Sequence, residues 1–308
     1  MSGVPILVLA GATASGKTAA ALELARRLGG ELVGADSVQV YRGFDIGSAK
    51  PTKEELGGVA HHLLDVLEPD EAIDAMAYAR LADAAIAETR ARGHVPIVVG
   101  GTGLWLRALV RGLVDLPPVD PAIRRALEEE AEQRGSASLH ARLAEVDPRA
   151  AAAIHPNDAL RIVRALEVFE QTGTPLGELR AAHALGAPRY RALFLVLDVP
   201  LDELTTRIER RLDAMIASGF VDEVRSLRER HGDEVRAFGS VGYRQMLEHL
   251  RDGIPWEATR EALRVATRAY ARRQRNWFRA EPGIDARVGP DALLDRTWMH
   301  RLEEHFER

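Results

Sequence analysis

The sequence predicts an α/β fold, in which a doubly wound parallel sheet carries an inserted all-helical domain. Short apolar runs typical of buried parallel strands lie at residues 4–10, 31–35, 95–99 and 192–199. Amphipathic helical patterns at 18–28 and 71–92 separate the first three runs, and this alternation is typical of a doubly wound sheet. From residue 116 to about 189, helical patterns continue but no strand candidate is present.

The chain is therefore expected to divide into a core and an insertion. The core comprises residues 1–115 and 190–308, and the insertion comprises residues 116–189, which begin at the proline-marked segment LPPVDP. After the fourth strand, further helices of the core are predicted at 201–231, 240–250 and 256–280.

The composition narrows the class of protein. The 308 residues include no cysteine, which excludes disulfides, thiolate metal sites and a cysteine nucleophile. Hydrophobic residues make up 46% of the chain but occur in short runs, so we expect no membrane span. The first residues lack a basic leader region, so we expect a cytoplasmic protein, and a monomer by default.

One segment matches the phosphate-binding pattern G-x-x-x-x-G-K-[ST] between a strand and a helix. Its residues are Gly11, Ala12, Thr13, Ala14, Ser15, Gly16, Lys17 and Thr18. Backbone N–H groups and the helix N-terminus can bind phosphate oxygens there, Lys17 adds a full charge, and the Thr18 hydroxyl can ligate Mg²⁺. The core is therefore predicted to be P-loop NTPase-like. Because such loops usually hold ATP or GTP, a kinase or an NTPase is the default interpretation.

Two polar residues follow neighbouring strands. Asp36 should face the ligand of the loop, because the carboxyl ends of parallel strands open on one crevice. Its carboxylate could receive a proton from a nucleophile, or it could cap the next turn or support magnesium through water. Thr102 could contact the ligand or serve as N-cap of the helix that begins near Leu104. The strand at 95–99 ends in GGTG, where a nucleotide hydrolase would normally carry an acidic residue for magnesium, and this weakens the default interpretation.

An arginine-rich helix favours an RNA partner in spite of the net charge of -5. Arginines recur every three or four positions at residues 260, 264, 268, 272 and 275. Such a stripe suits RNA phosphates, and Gln274, Trp277 and Phe278 in the same turns could contact a splayed base. A solvated helix face is the alternative, but its charges would more often alternate in sign. The adjacent His61 and His62 are expected to pack and hydrogen bond rather than bind a metal, since no third ligand is spaced nearby.

Eight segments in order resemble the tRNA isopentenyltransferase family, whose members are also called tRNA dimethylallyltransferases. They are GATASGKT (11–18), ADSVQVYRGFDIGSAKP (35–51), HHLLDV (61–66), VGGTGLWLRAL (99–109), HPNDALRIVRALEV (155–168), ASGFVDEVRSL (217–227), SVGYRQM (240–246) and YARRQRNWFR (270–279). The set covers the chain almost end to end, and its order is far more specific than any single segment except the loop.

The resemblance implies a prenyl transfer. Members of this family move the dimethylallyl group from dimethylallyl diphosphate to N6 of the adenosine 3′ of the anticodon in tRNAs that read U-initial codons. By position, loop residues 11–18 would hold the diphosphate, Asp36 would receive the N6 proton, and Thr102 would lie near the bridging oxygen and the target base. Arg211 would be a second diphosphate clamp, with Arg207 and Arg210 as alternatives.

The resemblance also implies contacts with the anticodon stem-loop of tRNA. The implied residues are Asp36, Ser37, Val38, Gln39, Thr102, Arg124, Leu160, Arg161, Ile162, Val163, Arg164, Ser240, Val241, Gly242, Tyr243, Arg244, Gln245, Arg272, Arg273, Gln274, Arg275, Trp277, Phe278 and Arg279. Many relatives have glutamine in place of Leu160 and cysteine in place of Ser240, so base contacts at these two positions stay open.

Three other functions are open on the residues alone. An adenylate isopentenyltransferase would share the loop and Asp36, but a free nucleotide requires neither the insertion nor the arginine stripe. A P-loop small-molecule kinase would use Asp36 to activate a hydroxyl. A non-catalytic RNA-binding module with a degenerate loop is disfavoured, because Lys17, Thr18, Asp36 and Thr102 are all present.

Overall fold

The computed structural model describes residues 3–114, 116–183 and 188–307. This described part contains one six-stranded sheet in which every neighbouring pair of strands is parallel. The strands are β1 (Pro5–Gly11), β2 (Gly30–Ala35), β3 (His61–His62), β4 (Val95–Gly100), β5 (Arg191–Leu197) and β6 (Ala286–Val288). Their order across the sheet is β3-β2-β4-β1-β5-β6. The predicted α/β fold with a parallel sheet is confirmed.

The helices surround the sheet or form the inserted segment. They are α1 (Lys17–Leu28), α2 (Lys53–Leu56), α3 (Ala75–Ala91), α4 (Gly103–Arg111), α5 (Pro121–Arg134), α6 (Ser136–Val146), α7 (Pro148–Ala153), α8 (Ala159–Thr172), α9 (Leu176–His183), α10 (Leu201–Ala217), α11 (Phe220–His231), α12 (Tyr243–Asp252), α13 (Trp256–Ala280) and α14 (Arg296–Glu307). None of these described helices combines the length and the apolar composition that a bilayer crossing requires.

Two predictions of secondary structure need correction. The helix expected at 201–231 is two helices, because the chain turns at Ser218 and at Gly219, whose φ of 98° is accessible mainly to glycine. The edge strands β3 and β6 are additional to the four predicted strands. They are two and three residues long and have no apolar run that sequence patterns could detect.

The sheet core is formed by alternating strand residues and one face of α1. Leu7 and Leu9 of β1 pack with Leu24 of α1 and Ile97 of β4, and all four are fully buried. At the β2–β3 edge, the buried Glu31 accepts hydrogen bonds from Arg92 and Thr89 and pairs with His62 (Nε2 to Oε2, 2.6 Å). The hydrogen bond from Arg92 is the largest contribution that lowers the pKa of Glu31, which falls from 4.5 to about 2.

Residues 113–187 form a separate compact unit, and residues 1–112 with 188–308 form the other. Residue 115 and residues 184–187, at the limits of the predicted 116–189 insertion, lie outside the described residues. Helices α5 to α9 of the smaller unit pack around buried leucines and isoleucines such as Leu143 and Ile162. Their apolar spacing therefore gives this segment a core of its own.

The sheet order determines where polar residues converge. Strand β4 lies between β2 and β1, and Gly100 at its end is in register with both Ala10 and Ala35. The segments that leave β1, β2 and β4 therefore begin side by side at one edge of the sheet. This edge is where ligands of doubly wound sheets bind.

Candidate active site

The segment after β1 forms a tight loop that leads directly into α1. Ala14 has φ 63° and Gly16 has φ 88°, so the backbone passes twice through the left-handed region within three residues. Position 11 requires glycine because a Cβ there would lie only 2.6 Å from the Ser15 hydroxyl oxygen. The first turn of α1 contains no acidic residue, and among the described residues no side chain caps it. Its N–H groups are therefore available to an anion.

Gln274 of α13 connects this loop to the segment after β4. Its side-chain oxygen accepts a hydrogen bond from the Thr13 N–H (2.8 Å), and its amide nitrogen donates to the Gly101 carbonyl (2.9 Å). The side chain is buried, with 7% of the residue exposed. Gln274 therefore has a structural role in the site, and since it also lines the cavity described below, its expected contact with RNA stays a prediction.

Lys17, Asp36 and Arg211 lie together in a cavity of about 320 Å³ at the carboxyl edge of the sheet. Burial lowers the pKa of Lys17 to about 8; Asp36 opposes this shift and Arg211 adds to it. Burial also lowers the pKa of Arg211, against the attraction of Asp36. Two cations and one carboxylate thus share a poorly solvated space, which is an environment suited to an anionic ligand.

Asp36 is held by the turn that follows β2. Its Oδ1 accepts hydrogen bonds from the N–H groups of Val38 (3.0 Å) and Gln39 (3.3 Å), so the capping alternative is correct for this oxygen. Among the described residues, Oδ2 makes no hydrogen bond. The carboxylate is therefore fixed in orientation by one oxygen and keeps the other for a ligand in the cavity.

Thr102 supports the same turn. Its hydroxyl oxygen accepts a hydrogen bond from the Ser37 N–H (3.1 Å), and its side chain makes no capping bond to α4, although it occupies the N-cap position. Thr102 is not among the residues that line the cavity. The structure thus brings it next to Asp36 through the backbone, while its expected contact with the ligand stays a prediction.

The arginines of α10 differ in what they face. Arg211 lines the cavity with Lys17 and Asp36, and it also borders a second, more open cleft on the other side of the loop. Arg207 and Arg210 line only the second cleft, where Arg207 pairs with Glu203 and donates to the Ser15 carbonyl (3.4 Å). This position favours Arg211 over its two alternatives.

Glu223, which no sequence pattern marks as functional, holds one wall of the cavity. Its carboxylate accepts hydrogen bonds from the N–H groups of Asp45 (3.1 Å), Ile46 (2.6 Å) and Gly47 (3.1 Å), and from the Tyr243 hydroxyl (2.7 Å). The segment it binds continues into Gly47, Ser48 and Ala49, which line the cavity. Glu223 lies within the quoted segment ASGFVDEVRSL, but a pattern cannot indicate which backbone a carboxylate binds.

Nine of the residues expected to contact tRNA line the cavity: Asp36, Ser37, Val38, Gln39, Ser240, Val241, Gly242, Arg273 and Gln274. Thr102 lies beside them, and the remaining residues, together with Arg273, fall into three groups. Some are exposed, as a partner of this size requires: Leu160, Arg161, Arg244, Arg272, Arg273 and Arg279. Others are buried in the core of their own unit, which corrects the expectation of contacts by their side chains: Ile162, Val163, Tyr243, Gln245 and Phe278. A third group is engaged with other side chains: Arg124, Arg164, Arg275 and Trp277.

The third group is held by specific partners. Arg124 (2.8 Å) and Arg164 (3.1 Å) both pair with Glu167, whose side chain is fully buried. Trp277 packs so closely on Gly103 that a Cβ there would lie 2.2 Å from the indole, and Arg107 stacks on it 4.5 Å from the ring centroid.

The arginine stripe of α13 presents less free positive charge to RNA than its spacing suggested. Arg260 pairs with Asp213 (2.9 Å), and Arg268 pairs with Glu209, both acidic residues of α10. These pairs reduce the charge that the first half of α13 presents. Arg272 and Arg279, nearer its C-terminal end, are exposed and have no ion-pair partner among the described residues.

The loop, the fixed carboxylate and the two cations form a charged cavity that suits an anionic ligand. A family model described as IPP transferase matches residues 39–281. The chain therefore belongs to the IPP transferase family, and the resemblance and the prenyltransferase class expected from the sequence are confirmed.

Relatives and solved structures agree with this assignment. Proteins named tRNA dimethylallyltransferase from Anaeromyxobacter sp. (strain K) and Sorangium cellulosum are 54% and 50% identical, over 91% and 89% of this chain and 91% and 87% of their own. The full-length tRNA isopentenylpyrophosphate transferase of Bacillus halodurans is 35% identical, with TM-score 0.70 and 98% of both chains covered. A eukaryotic dimethylallyltransferase acting on tRNA is 27% identical, with TM-score 0.73, over 90% of this chain and 70% of its own.

Proposed function

We propose that this enzyme transfers the dimethylallyl group from dimethylallyl diphosphate to N6 of the adenosine 3′ of the anticodon in tRNAs that read U-initial codons, and releases diphosphate. The observation that carries the proposal is the placement of Lys17, Arg211 and Asp36 in one cavity beside the phosphate loop. Relatives that are about half identical over most of the chain carry the name of this activity.

The diphosphate is assigned to the loop and the two buried cations. When the allylic C1–O bond breaks, its electron pair leaves with the diphosphate, and the main barrier is the charge that develops there. N–H groups of α1, Lys17 and Arg211 are preorganised donors for that charge, and removal of one such donor commonly costs about 3–4 kcal/mol. The low pKa of unliganded Lys17, about 8, should rise once an anion is bound beside it.

The residues present fit a magnesium ion that is shared with the substrate. Among the described residues no group of three or more acidic or histidine side chains could hold an ion alone. Magnesium at phosphate sites keeps several waters and takes only one or two protein oxygens, and the Thr18 hydroxyl on the cavity wall can supply one. When bound, the ion would neutralise charge on the diphosphate.

We assign to Asp36 the activation of the nucleophile, the N6 amine of adenine. The lone pair of the adenine N6 is delocalised into the ring, so attack on C1 becomes easier as a base removes the N6 proton. Two backbone N–H groups orient the carboxylate and leave Oδ2 to accept that proton. The new C1–N6 bond and the released diphosphate complete the step without a further reactant.

The tRNA is assigned to the exposed arginines near the cavity. Arg273 lines the cavity and is exposed, and Arg272 and Arg279 lie on the same helix. Guanidinium groups there suit the phosphates on either side of a base that is splayed into the cavity. We propose that the enzyme acts as a monomer in the cytoplasm.

The kinase alternative is disfavoured by the segment after β4. A Cβ on Gly100 would lie 2.1 Å from the Ala35 carbonyl oxygen, and a Cβ on Gly101 would lie 2.3 Å from the amide of Gln274. These contacts leave no room for the acidic side chain that a nucleotide hydrolase carries at this position.

The test is incubation of undermodified tRNA with the protein, Mg²⁺ and dimethylallyl diphosphate, followed by mass spectrometry of the nucleosides. We expect dimethylallyladenosine, and a single-turnover rate for Asp36→Ala that is lower by about 10² to 10⁴-fold. Phosphate transfer from labelled ATP in preference to prenyl transfer, or prenylation of free AMP in preference to tRNA, would replace the proposal by one of its alternatives. A loss below threefold for Asp36→Ala would remove this residue from the mechanism.

A further inference from the structure

The cavity has two chemically different parts. Lys17, Asp36 and Arg211 make one part polar and charged. Another part of the lining is apolar and buried, and it consists of Ile208, Leu212, Met215 and Phe220. A ligand that fills the cavity should therefore be an anion joined to a short hydrocarbon group.

One face of α10 supplies three of the four apolar residues and one of the three charged residues. Ile208, Arg211, Leu212 and Met215 are spaced three, one and three residues apart, so they project from the same side of the helix. Arg211 thus lies within an apolar wall that follows the helix axis, with Ile208 before it and Leu212 and Met215 after it. The diphosphate at Arg211 would place the hydrocarbon tail against Leu212 and Met215.

The length of this wall matches one isoprene unit. At a rise of 1.5 Å per residue, Met215 lies four residues and about 6 Å along the helix axis from Arg211. The carbon skeleton of one isoprene unit extends roughly 4 Å, since it has three consecutive carbon–carbon bonds of about 1.5 Å in a zigzag. A second isoprene unit would extend past Met215 into the wall.

The two residues at the end of the wall differ in how rigidly they are held. The Phe220 ring packs edge to face on Tyr243, with centroids 5.1 Å apart, and a Cβ on Gly47 would lie 2.1 Å from it. Met215 lies two residues before the end of α10 and has an unbranched, adaptable side chain. Met215 is therefore the part of the wall that a substitution can remove without disturbing the Glu223 and Tyr243 contacts.

We infer that Met215 closes the prenyl pocket and restricts the donor to a single isoprene unit. This inference rests on the proposed function, because it assigns the apolar wall to the tail of the allylic diphosphate. Phe220 forms the fixed back of the pocket, and Ile208 and Leu212 form its side.

The experiment compares dimethylallyl and geranyl diphosphate as donors for undermodified tRNA, with kcat/KM measured for each. Wild type should strongly prefer the five-carbon donor. Met215→Ala should raise the geranyl to dimethylallyl ratio by about 10 to 200-fold, the range by which an apolar pocket discriminates added hydrocarbon. Met215→Leu, which keeps the side-chain size, should leave the ratio within about threefold.

Met246→Ala is the matched control, because Met246 of α12 is equally buried but does not line the cavity. It should reduce stability without a change in the donor ratio. If Met215→Ala transfers the dimethylallyl group but leaves the ratio unchanged, the inference is wrong.

A second variant keeps the inference testable if Met215→Ala folds poorly. Met215→Phe should raise KM for dimethylallyl diphosphate while KM for tRNA stays within about threefold, because only the tail loses space. An unchanged KM for the donor in this variant would also refute the assignment. Failure of wild type to transfer either prenyl group would instead refute the proposed function.

Discussion

The contacts of Gln274 allow a prediction that separates a structural role from an RNA contact. Replacement by the similarly sized Met would leave the Thr13 N–H and the Gly101 carbonyl without their partners. Each unsatisfied buried backbone group costs about 1–3 kcal/mol, so the sum is about 2–6 kcal/mol. Because Thr13 is partly exposed and water can reach it, we expect about 2–3 kcal/mol of lost unfolding free energy.

Urea unfolding would measure this loss, and calorimetry would measure binding of diphosphate. We expect Gln274→Met to weaken diphosphate binding at least about tenfold, since 1.4 kcal/mol of lost loop preorganisation corresponds to that factor. Asn276→Ala, at an exposed position two residues further along α13, should change the unfolding free energy by less than about 0.5 kcal/mol. If Gln274→Met were as stable as Asn276→Ala and lost tRNA affinity instead, Gln274 would be the RNA contact that the resemblance implied.

Three further predictions concern charge. The pKa of Glu31 is lowered from its ordinary value of 4.5 to about 2 in the folded protein. The ionised Glu31 therefore stabilises the fold fully above pH 4.5, and this stabilisation is lost as the pH falls towards 2. The difference in urea midpoint between wild type and Glu31→Gln should shrink over that range. Glu167→Gln removes the buried anion that pairs with Arg124 and Arg164, each about a quarter exposed, and should cost about 1.5–3 kcal/mol in thermal or urea unfolding. Replacing both Arg272 and Arg279 by Gln should reduce the salt dependence of tRNA binding, expressed as the slope of log K against log salt concentration, by about 1–2. Arg260 is already paired with Asp213, so Arg260→Gln should change this slope little. Equal slopes in the double variant and in Arg260→Gln would count against the assignment.

The sequence was sufficient for the fold and for part of the site. Four apolar runs separated by helices predict the central strands, and the phosphate pattern between β1 and α1 predicts where an anion binds. Asp36 was found because it follows a strand directly, and strand ends meet at one edge of a parallel sheet. These inferences need only local patterns and a general rule about sheets.

The contacts that the sequence did not reveal join distant segments. Arg260 and Asp213 are 47 positions apart, and Arg268 and Glu209 are 59 apart, so the spacing of the arginines alone could not indicate that they are paired. Glu223 binds backbone N–H groups about 176 residues away, and backbone groups leave no trace in a side-chain pattern. Such contacts depend on the tertiary arrangement.

Gln274 is different, because a signal for its burial was present. It lies three residues after Ala271 and four before Phe278, both of which are buried, so helical periodicity places it on the inner face of α13. The neighbouring arginines lie on the outer face of the same helix, and their pattern predicted an RNA contact for Gln274 as well. A polar residue at a core position of an arginine-rich helix is therefore a candidate structural hydrogen-bonding group as well as a candidate RNA contact.

The balance of charge in the cavity explains why a phosphate loop can serve prenyl transfer. Burial lowers the pKa of both Lys17 and Arg211, Arg211 lowers that of Lys17 further, and Asp36 opposes both shifts only in part. A bound diphosphate relieves the repulsion between the two cations, and the relief grows as the C1–O bond breaks and negative charge accumulates on the leaving group. In the proposed reaction the diphosphate would replace Asp36 as the counterion of Lys17 and Arg211, and Oδ2 of Asp36, which makes no hydrogen bond among the described residues, would be left for the N6 proton. One set of three charges therefore favours departure of the diphosphate and deprotonation of the nucleophile in the same step.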